Sequence, residues 1–374
     1  MSQNTSSSDH QNTGHTDEQS NGSFDQCSST NPPINQVDQS IEQPNDQPGN
    51  QQSYLAREEV QALRKANDLK AVWGLVFNWL LVAASFALVG YDANPITILV
   101  AMIIISGRQL GFGILLHDCS HRSWFSKSWM NDHLGHWLAG VPILVPMRFY
   151  RPYHFIHHTK TGTELDPDVD NIRNYPVTKA SMRRKVWRDF TGRSGLKALY
   201  GVLFFANTGR VGNTVSLGNK QNQRTAQETR DFAFANFRDI LIFHSAFFGI
   251  FWMIGEPMLY LLWWASYIFT YPFIIRLRQV AEHGAMPKLS SKDVRETTRT
   301  TLASWWERLT FAPNYVNYHC EHHYQPTVPG YNLPEMHRLL RQRGFYEDHS
   351  AALVQGGYRE VFRLASSQKR SRSK

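Results

Sequence analysis

Histidine supplies the most suggestive chemistry in this chain. Nine of its sixteen histidines fall into four tight groups: His117 and His121 in HDCSH, His154, His157 and His158 in HFIHH, His283 in AEH, and His319, His322 and His323 in HCEHH. Spacings of i,i+4 and i,i+3,i+4 set imidazoles on one helix face, one turn apart, where they can converge on a metal. A single HxxxH arises often among solvated or core histidines; two HxxHH motifs together with an HxxxH do not. Imidazole suits zinc, copper, iron and nickel. One zinc takes four ligands, or three with an open position, so nine histidines exceed it. The HExxH signature of metalloproteases is absent, and so is the Glu and Glu-x-x-His set of soluble di-iron bundles. Two metals sharing nine ligands, four or five each, fit the count and leave room for an oxygen species.

The elements that must position these groups are membrane helices. Residues 71–91 hold no charge, and 95–116 form a second apolar run interrupted by Arg108. Residues 238–255 and 257–275 form a second pair, in which the third run is short enough that its helix is expected to begin earlier or tilt. Lys and Arg are missing from the connections at 91–94 and 255–257 but flank the outer ends of all four runs. Under the positive-inside rule both termini, the long segments and every histidine group are cytoplasmic. The N-terminus has no signal peptide pattern, and an inner membrane and the endoplasmic reticulum are equally compatible with it. The chain carries a net +8, or about +15 without its acidic first 56 residues. That surplus is accounted for by topology, and no nucleic-acid reader motif accompanies it. Three scattered cysteines exclude a disulfide framework and a thiolate zinc site.

Residues 1–52, rich in Gln, Asn, Ser, Asp and Pro, are expected to be a disordered tail. A membrane domain is expected over 53–350, and a C-terminal segment with a basic tail over 351–374. The apolar stretch 135–150, broken by two prolines, is expected to be re-entrant or interfacial.

HDCSH, HFIHH and HCEHH, in this order and placed around two membrane hairpins, resemble the three histidine boxes of the membrane fatty acid desaturase/hydroxylase superfamily. The similarity covers roughly residues 70–345 and includes YNLPEMHRLL after the third box. The resemblance implies an all-α integral membrane protein: four transmembrane helices in two hairpins under a cytosolic helical cap that carries a di-iron site. It also implies two non-haem iron ions, O2 as co-substrate, and an external electron donor, a ferredoxin or cytochrome b5 with its reductase. His283 matches a further family ligand after the fourth span. Gln279 stands where the family commonly has an asparagine that holds a water on one iron, which is a departure.

Carboxylates beside the boxes, Asp118, Glu282 and Glu321, are candidates to accept the second N–H of ligand imidazoles and fix their tautomers. Asp166 and Asp168 in GTELDPDVD either do the same or belong to a solvated loop. Arg108 is a functional candidate as an intramembrane cation, although snorkelling toward the interface is the favoured expectation. His133 and His136 are expected on a helix surface or behind the metal ligands; His244 stands isolated within a span. His10, His15, His337 and His349 are expected to be structural or solvated, and Cys119 and Cys320 to be packing residues.

The resemblance implies first an O2-dependent desaturase acting on a lipid acyl chain, whose unactivated methylene C–H lies beyond acid–base catalysis and needs cofactor chemistry. A hydroxylase or ketolase of the same superfamily, with fatty acid, sphingoid, carotenoid or alkane substrate, is the alternative. A non-redox metal-binding membrane protein is the third reading. A transporter would place its ligands near the bilayer midplane, not at one face. No cytochrome b5-like HPGG or CxxC iron–sulfur spacing occurs, so the donor is expected to be separate.

Overall fold

The computed structural model describes residues 53–209, 224–288 and 290–368. The polar tail expected over 1–52, with His10, His15 and Cys27, lies outside them, as do residues 369–374. The described chain is mostly helical, with almost no sheet. Its main helices are α1 (Asp68–Tyr91), α2 (Pro95–Ser120), α3 (Met147–Lys160), α4 (Lys179–Phe190), α5 (Arg193–Gly201), α6 (Ala226–Met253), α7 (Pro257–Glu282), α8 (His319–Tyr324), α9 (Leu333–Gln342) and α10 (Gly357–Ala365). Four of them, α1, α2, α6 and α7, are long and apolar enough to cross a membrane. The architecture is that of an all-α membrane protein.

Local chemistry sets the ends of the spans. Asn67 Oδ1 accepts the Lys70 N–H at the start of α1, and Asn94 Oδ1 accepts those of Ile96 and Thr97 at the start of α2. Pro95 is tolerated there because a first-turn N–H has no helical partner to lose. In the second hairpin Gly255 turns the chain at φ +81, a conformation that costs glycine little. α6 begins at a Thr225–Glu228 capping box, so its polar first turns extend the helix well before its apolar stretch.

α2 is the innermost span: 61% of its most apolar stretch is buried, against 28–39% in the other three. It meets α7 through the paired hydroxyls of Ser106 and Thr270, and through Gln109 Nε2 donating to the Trp263 carbonyl at 3.0 Å. On another face Gly107 and Gly111, one turn apart, admit close neighbours. A Cβ at Gly107 would stand 2.4 Å from the Leu309 oxygen, and one at Gly111 would stand 2.2 Å from Asn78 Oδ1. Small residues at this spacing let membrane helices and their partners approach closely.

Arg108 does not snorkel. Its side chain is 1% exposed and donates to Asn78 Oδ1 at 3.1 Å and to the carbonyls of Arg308 and Leu309 at 3.1 and 2.7 Å. Those carbonyls end the short helix Trp305–Thr310, where they lack helical partners. The guanidinium satisfies them inside the protein, so its charge does not reach for the interface.

The segment 135–150 is a break in regular helix: a π turn at His136–Gly140, a 3-10 turn at Val141–Ile143 and a left-handed Leu144. Trp79, well inside α1, donates to the Leu138 carbonyl at 3.0 Å, and Val141 and Leu144 pack on Ile240 of α6. The segment therefore dips among the spans. His136 is buried behind it, with Nε2 donating to Asp239 at 3.1 Å, whereas its expected companion His133 is exposed. Beyond the spans, α8, α9 and α10 form a cap with a two-stranded parallel ladder, β1 (Thr300–Thr301) on β2 (Leu353–Val354). Apolar contacts of Tyr358 and Val361 with Val280 and Ala281 fix the cap to the end of α7.

Candidate metal centre

The nine histidines converge. His117 and His121 come from the end of α2, His154, His157 and His158 from α3, His283 follows α7, and His319, His322 and His323 lie on α8. They sort into two groups, in each of which the ligand atoms lie within 4.8 Å of one another. The first is His117, His121, His154, His158 and His322; the second is His157, His283, His319 and His323. In each HxxHH motif the i,i+4 pair enters one group, and the i+3 imidazole, about 100° around the helix from its neighbour, enters the other. α3 gives its pair to the first group and His157 to the second. α8 does the reverse, giving His319 and His323 to the second and His322 to the first.

Distances test whether these nitrogens suit a metal. His154 Nε2 lies 2.9 Å from His121 Nε2 and 3.0 Å from His158 Nε2, which in turn lies 3.0 Å from His322 Nε2. In the second group His283 and His319 Nε2 are 2.8 Å apart. A neutral imidazole offers one N–H and one lone pair. In a row of four Nε2 atoms, each inner atom would have to share one proton or one lone pair between two neighbours. The same spacing matches an octahedron edge of about 3.0 Å for metal–nitrogen bonds of about 2.1 Å. His117 Nε2 and His323 Nε2 are moreover buried without a partner, a costly state that a bound cation would relieve. The donor set fits two metal ions better than it fits a hydrogen-bonded row.

The other ring nitrogen is fixed where a partner is present. His117 Nδ1 donates to Asp118 at 2.7 Å, and the second oxygen of Asp118 accepts the Gly330 N–H at 2.9 Å. His157 Nδ1 donates to Asp166 at 2.8 Å, and Asp166 also accepts the Asp168 N–H at 2.9 Å. Asp168 stands back at 3.7 Å from His157 and accepts the Tyr153 hydroxyl at 2.8 Å. His283 Nδ1 donates to the Thr297 carbonyl at 3.1 Å. Each bond leaves Nε2 as the lone-pair nitrogen turned toward its group. Glu282 is ion-paired with Arg278 and lies 3.6 Å from His319 Nε2.

Glu321 is placed differently from expectation. It accepts from Thr300, Tyr346 and His337, and touches no imidazole of the two groups. Two residues on from His319, it points about 200° away around α8. Gln279 lies one turn before His283, half-buried, with no side-chain hydrogen bond among the described residues. Cys119 and Cys320 are buried free thiols that pack in apolar clusters. Four contributors carry no sequence signal of their own: the Gly330 N–H, the Thr297 carbonyl, Arg151 and Tyr150. Arg151 donates to the Ser120 and Cys119 carbonyls at the end of α2, and the Tyr150 ring lies parallel to His154 at 5.2 Å.

Electrostatics keep most of these imidazoles neutral. Burial, reinforced by Arg151 and His157, pushes His121 down to about 3; burial, with His157 beside it, pushes His283 to about 3. Burial likewise holds His154, His158, His319, His322 and His323 well below the usual histidine range. Burial also opposes the charge on His157, but the Asp166 hydrogen bond and the Asp168 carboxylate outweigh it and raise its pKa. At neutral pH the lone pairs are therefore available, and at His157 a metal would take the place of a proton.

A model of the fatty acid desaturase family matches residues 93–357, more than half of the 374-residue chain. A dihydrorhizobitoxine desaturase of Bradyrhizobium elkanii is 24% identical over 67% of this chain and 70% of its own length. An sn-1 oleoyl-lipid 12-desaturase of Synechocystis is 25% identical over 62% of this chain and 65% of its own. A putative sphingolipid delta(4)-desaturase/C4-monooxygenase of Caenorhabditis elegans is 24% identical over 80% and 75%. With the family match covering three of the four spans, α2, α6 and α7, and all nine converging histidines, the chain belongs to the fatty acid desaturase family, whose members are oxidoreductases.

Proposed function

We propose that this chain is a membrane di-iron, O2-dependent acyl-lipid desaturase that introduces a double bond into a lipid acyl chain, with its histidine groups and termini on the cytoplasmic side. The observation that carries the proposal is the pair of adjacent imidazole groups at the ends of α2 and α7, with nitrogen spacings suited to metal coordination. Iron held there supplies reductive activation of O2 and the power to remove hydrogen from an unactivated methylene. His117, His121, His154, His158 and His322 would hold one ion, and His157, His283, His319 and His323 the other.

The chain's own contribution is orientation and exclusion. Asp118, Asp166 and the Thr297 carbonyl hold three rings in the tautomer that bares Nε2. Seven of the nine ligand candidates are 7% exposed or less, which keeps bulk water from the centre. Electrons come from a separate ferredoxin or cytochrome b5 system reaching the cytoplasmic cap. A second reading, lipid hydroxylation, is supported by the relative whose name includes C4-monooxygenase. The two outcomes share the first hydrogen removal and part on ångström-scale placement of the acyl chain.

Expression in a heterologous host, followed by lipid analysis, tests the proposal. New double bonds that vanish in His157→Ala are expected. New hydroxyl or keto groups would transfer the chain to the second reading. One bound zinc with no iron in the purified protein would reject both.

A further inference from the structure

Between the second and third spans lies an element that neither the histidine groups nor the four spans account for. α4 and α5, with the π turn Val202–Ala206 that continues α5, carry the sequence KASMRRKVWRDFTGRSGLKALYGVLFFA. From Lys179 to Ala206 it holds seven cations and one acid, Asp189. That acid is buried and already bound by Arg276 of α7 through two contacts of 2.7 Å. Arg183, Arg184, Arg188, Arg193 and Lys197 are exposed.

The apolar residues of the same element are exposed too. Trp187 is 68% exposed, Leu196 56%, Tyr200 55% and Phe204 52%. They do not lack a fold to join: Leu199, Val202 and Leu203 pack inward on Val141, Leu144 and Ile240. Apart from Lys197, residues 196–206 are thus apolar on the face that meets the protein and on the face that no other described residue covers, a pattern that water does not support.

Position supplies the occupant. The turn at Gly192, φ +78, presses on Ile268 and Phe269 of α7, and a Cβ at Gly195 would stand 2.1 Å from the Ile268 carbonyl. Arg276, the anchor of Asp189, closes the apolar stretch of α7. From Arg276 to Phe269 is seven residues, about 10 Å along the span. The element therefore descends from the charged rim of the membrane to a depth typical of an interfacial helix. Its exposed rings continue the lipid-facing surface of α7, where Phe269 is 40% exposed.

We infer that α4–α5 is a membrane-embedded basic helix pair: its exposed apolar face lies in the box-side leaflet, and its cations bind anionic phospholipid headgroups. Lys179 and Arg183 extend the positive surface into a cleft shared with Arg359 and Arg363 of α10, with Glu360 as the one acid lining it. The inference rests on the membrane fold and not on the reaction at the metal centre.

Spin labels on the full chain in nanodiscs test it. Single cysteines would be placed at Leu196 and Phe204 in a Cys27→Ser background, with Leu241→Cys on the lipid face of α6 and Asp348→Cys on the cap as references. Labels at 196 and 204 should be relaxed by oxygen like that at 241, and shielded from an aqueous nickel chelate. Nickel access like that at 348 would overturn the inference, and so would shielding from both probes, which would mark a second copy of the chain as the occupant. For the headgroups, thermal unfolding would be compared in phosphatidylcholine discs and in discs that also contain phosphatidylglycerol. The native chain should unfold several degrees higher with phosphatidylglycerol, and Arg183→Gln/Arg184→Gln/Arg188→Gln should lose most of that gain. An unchanged gain in the triple variant would refute the role of the cations.

Discussion

The two imidazole groups use the same motifs in opposite proportion, yet they are anchored in different material. The first is held by helix ends. Asp118 lies within α2, is 4% exposed, and is gripped from behind by the Gly330 N–H, while Arg151 ties down the last carbonyls of the same helix. The second leans on loops. Asp166 sits between α3 and the short helix Val169–Ile172, beside the exposed Leu165. His283 caps the end of α7, its backbone N–H bonded to the Gln279 carbonyl, and its ring is held by the carbonyl of Thr297 in a separate segment. Loop segments open at lower free energy than packed helix ends. The lesson is that group size and anchoring run together here: five imidazoles on a frame of helix ends, four on one that leans on loops.

Breaking one group at a time is the most severe test of that difference. His322→Ala and His323→Ala alter adjacent residues of α8 that address different groups. Each should lower product formation at least about 100-fold, the scale at which a residue acts as part of a unit. Bound iron should fall from two toward one per chain, and Mössbauer spectra should show a different iron remaining in each variant. The same residual spectrum in both would break the assignment of alternate ligands to alternate groups.

The supporting carboxylates come next. Asp118→Asn and Asp166→Asn should each weaken metal binding about 10–100-fold, the usual cost of losing such a partner. Gly330→Ala should act as a milder Asp118 variant, because a Cβ there would stand 2.7 Å from Asp118 Oδ2. Chelator treatment of the native protein should then release iron in two phases, the faster from the second group. Asp166→Asn should accelerate only that faster phase; acceleration of the slower one would reverse the ranking of the two frames.

Much of this was legible in the sequence because ligands one helical turn apart are neighbours in both sequence and space. The spans were legible for a similar reason, as uncharged runs bounded by cations. What stayed hidden depends on contacts between distant residues. Arg108 meets carbonyls 200 and 201 positions away, so its burial could not be inferred from its own helix. Glu321 looked like a ligand's partner because it sits among imidazoles in HCEHH, yet helical geometry turns it toward Thr300, His337 and Tyr346. The sorting of each HxxHH between two groups likewise needs the packing of α3 against α8. The basic run at 179–197 concealed an embedded helix, since cations interleaved with rings suppress any simple hydropathy signal.

A change remote from both groups sharpens the comparison by leaving it intact. Arg108→Met removes three hydrogen bonds from a buried site and strands the carbonyls of Arg308 and Leu309. A loss of about 2–4 kcal/mol in stability is expected, read as a lower unfolding temperature in detergent, because unsatisfied buried polar groups cost about 1–3 kcal/mol each. Iron content at low temperature should stay at the native value. A loss of iron from the first group would show that the helix end bearing His117 is less rigid than its contacts suggest.

The smallest effect belongs to Gln279. Its amide stands one turn before His283 and is held by no protein group among the described residues, so truncating it removes no bond that positions an imidazole. Gln279→Ala should keep its iron and lower product formation by less than about tenfold, below the range for partners that orient a ligand. Gln279→Asn should lie between the two. If Gln279→Ala instead loses iron as His283→Ala does, the amide is itself a ligand. The second group would then hold five donors like the first, and the weaker anchoring of its loops, not a missing ligand, would be the whole difference between them.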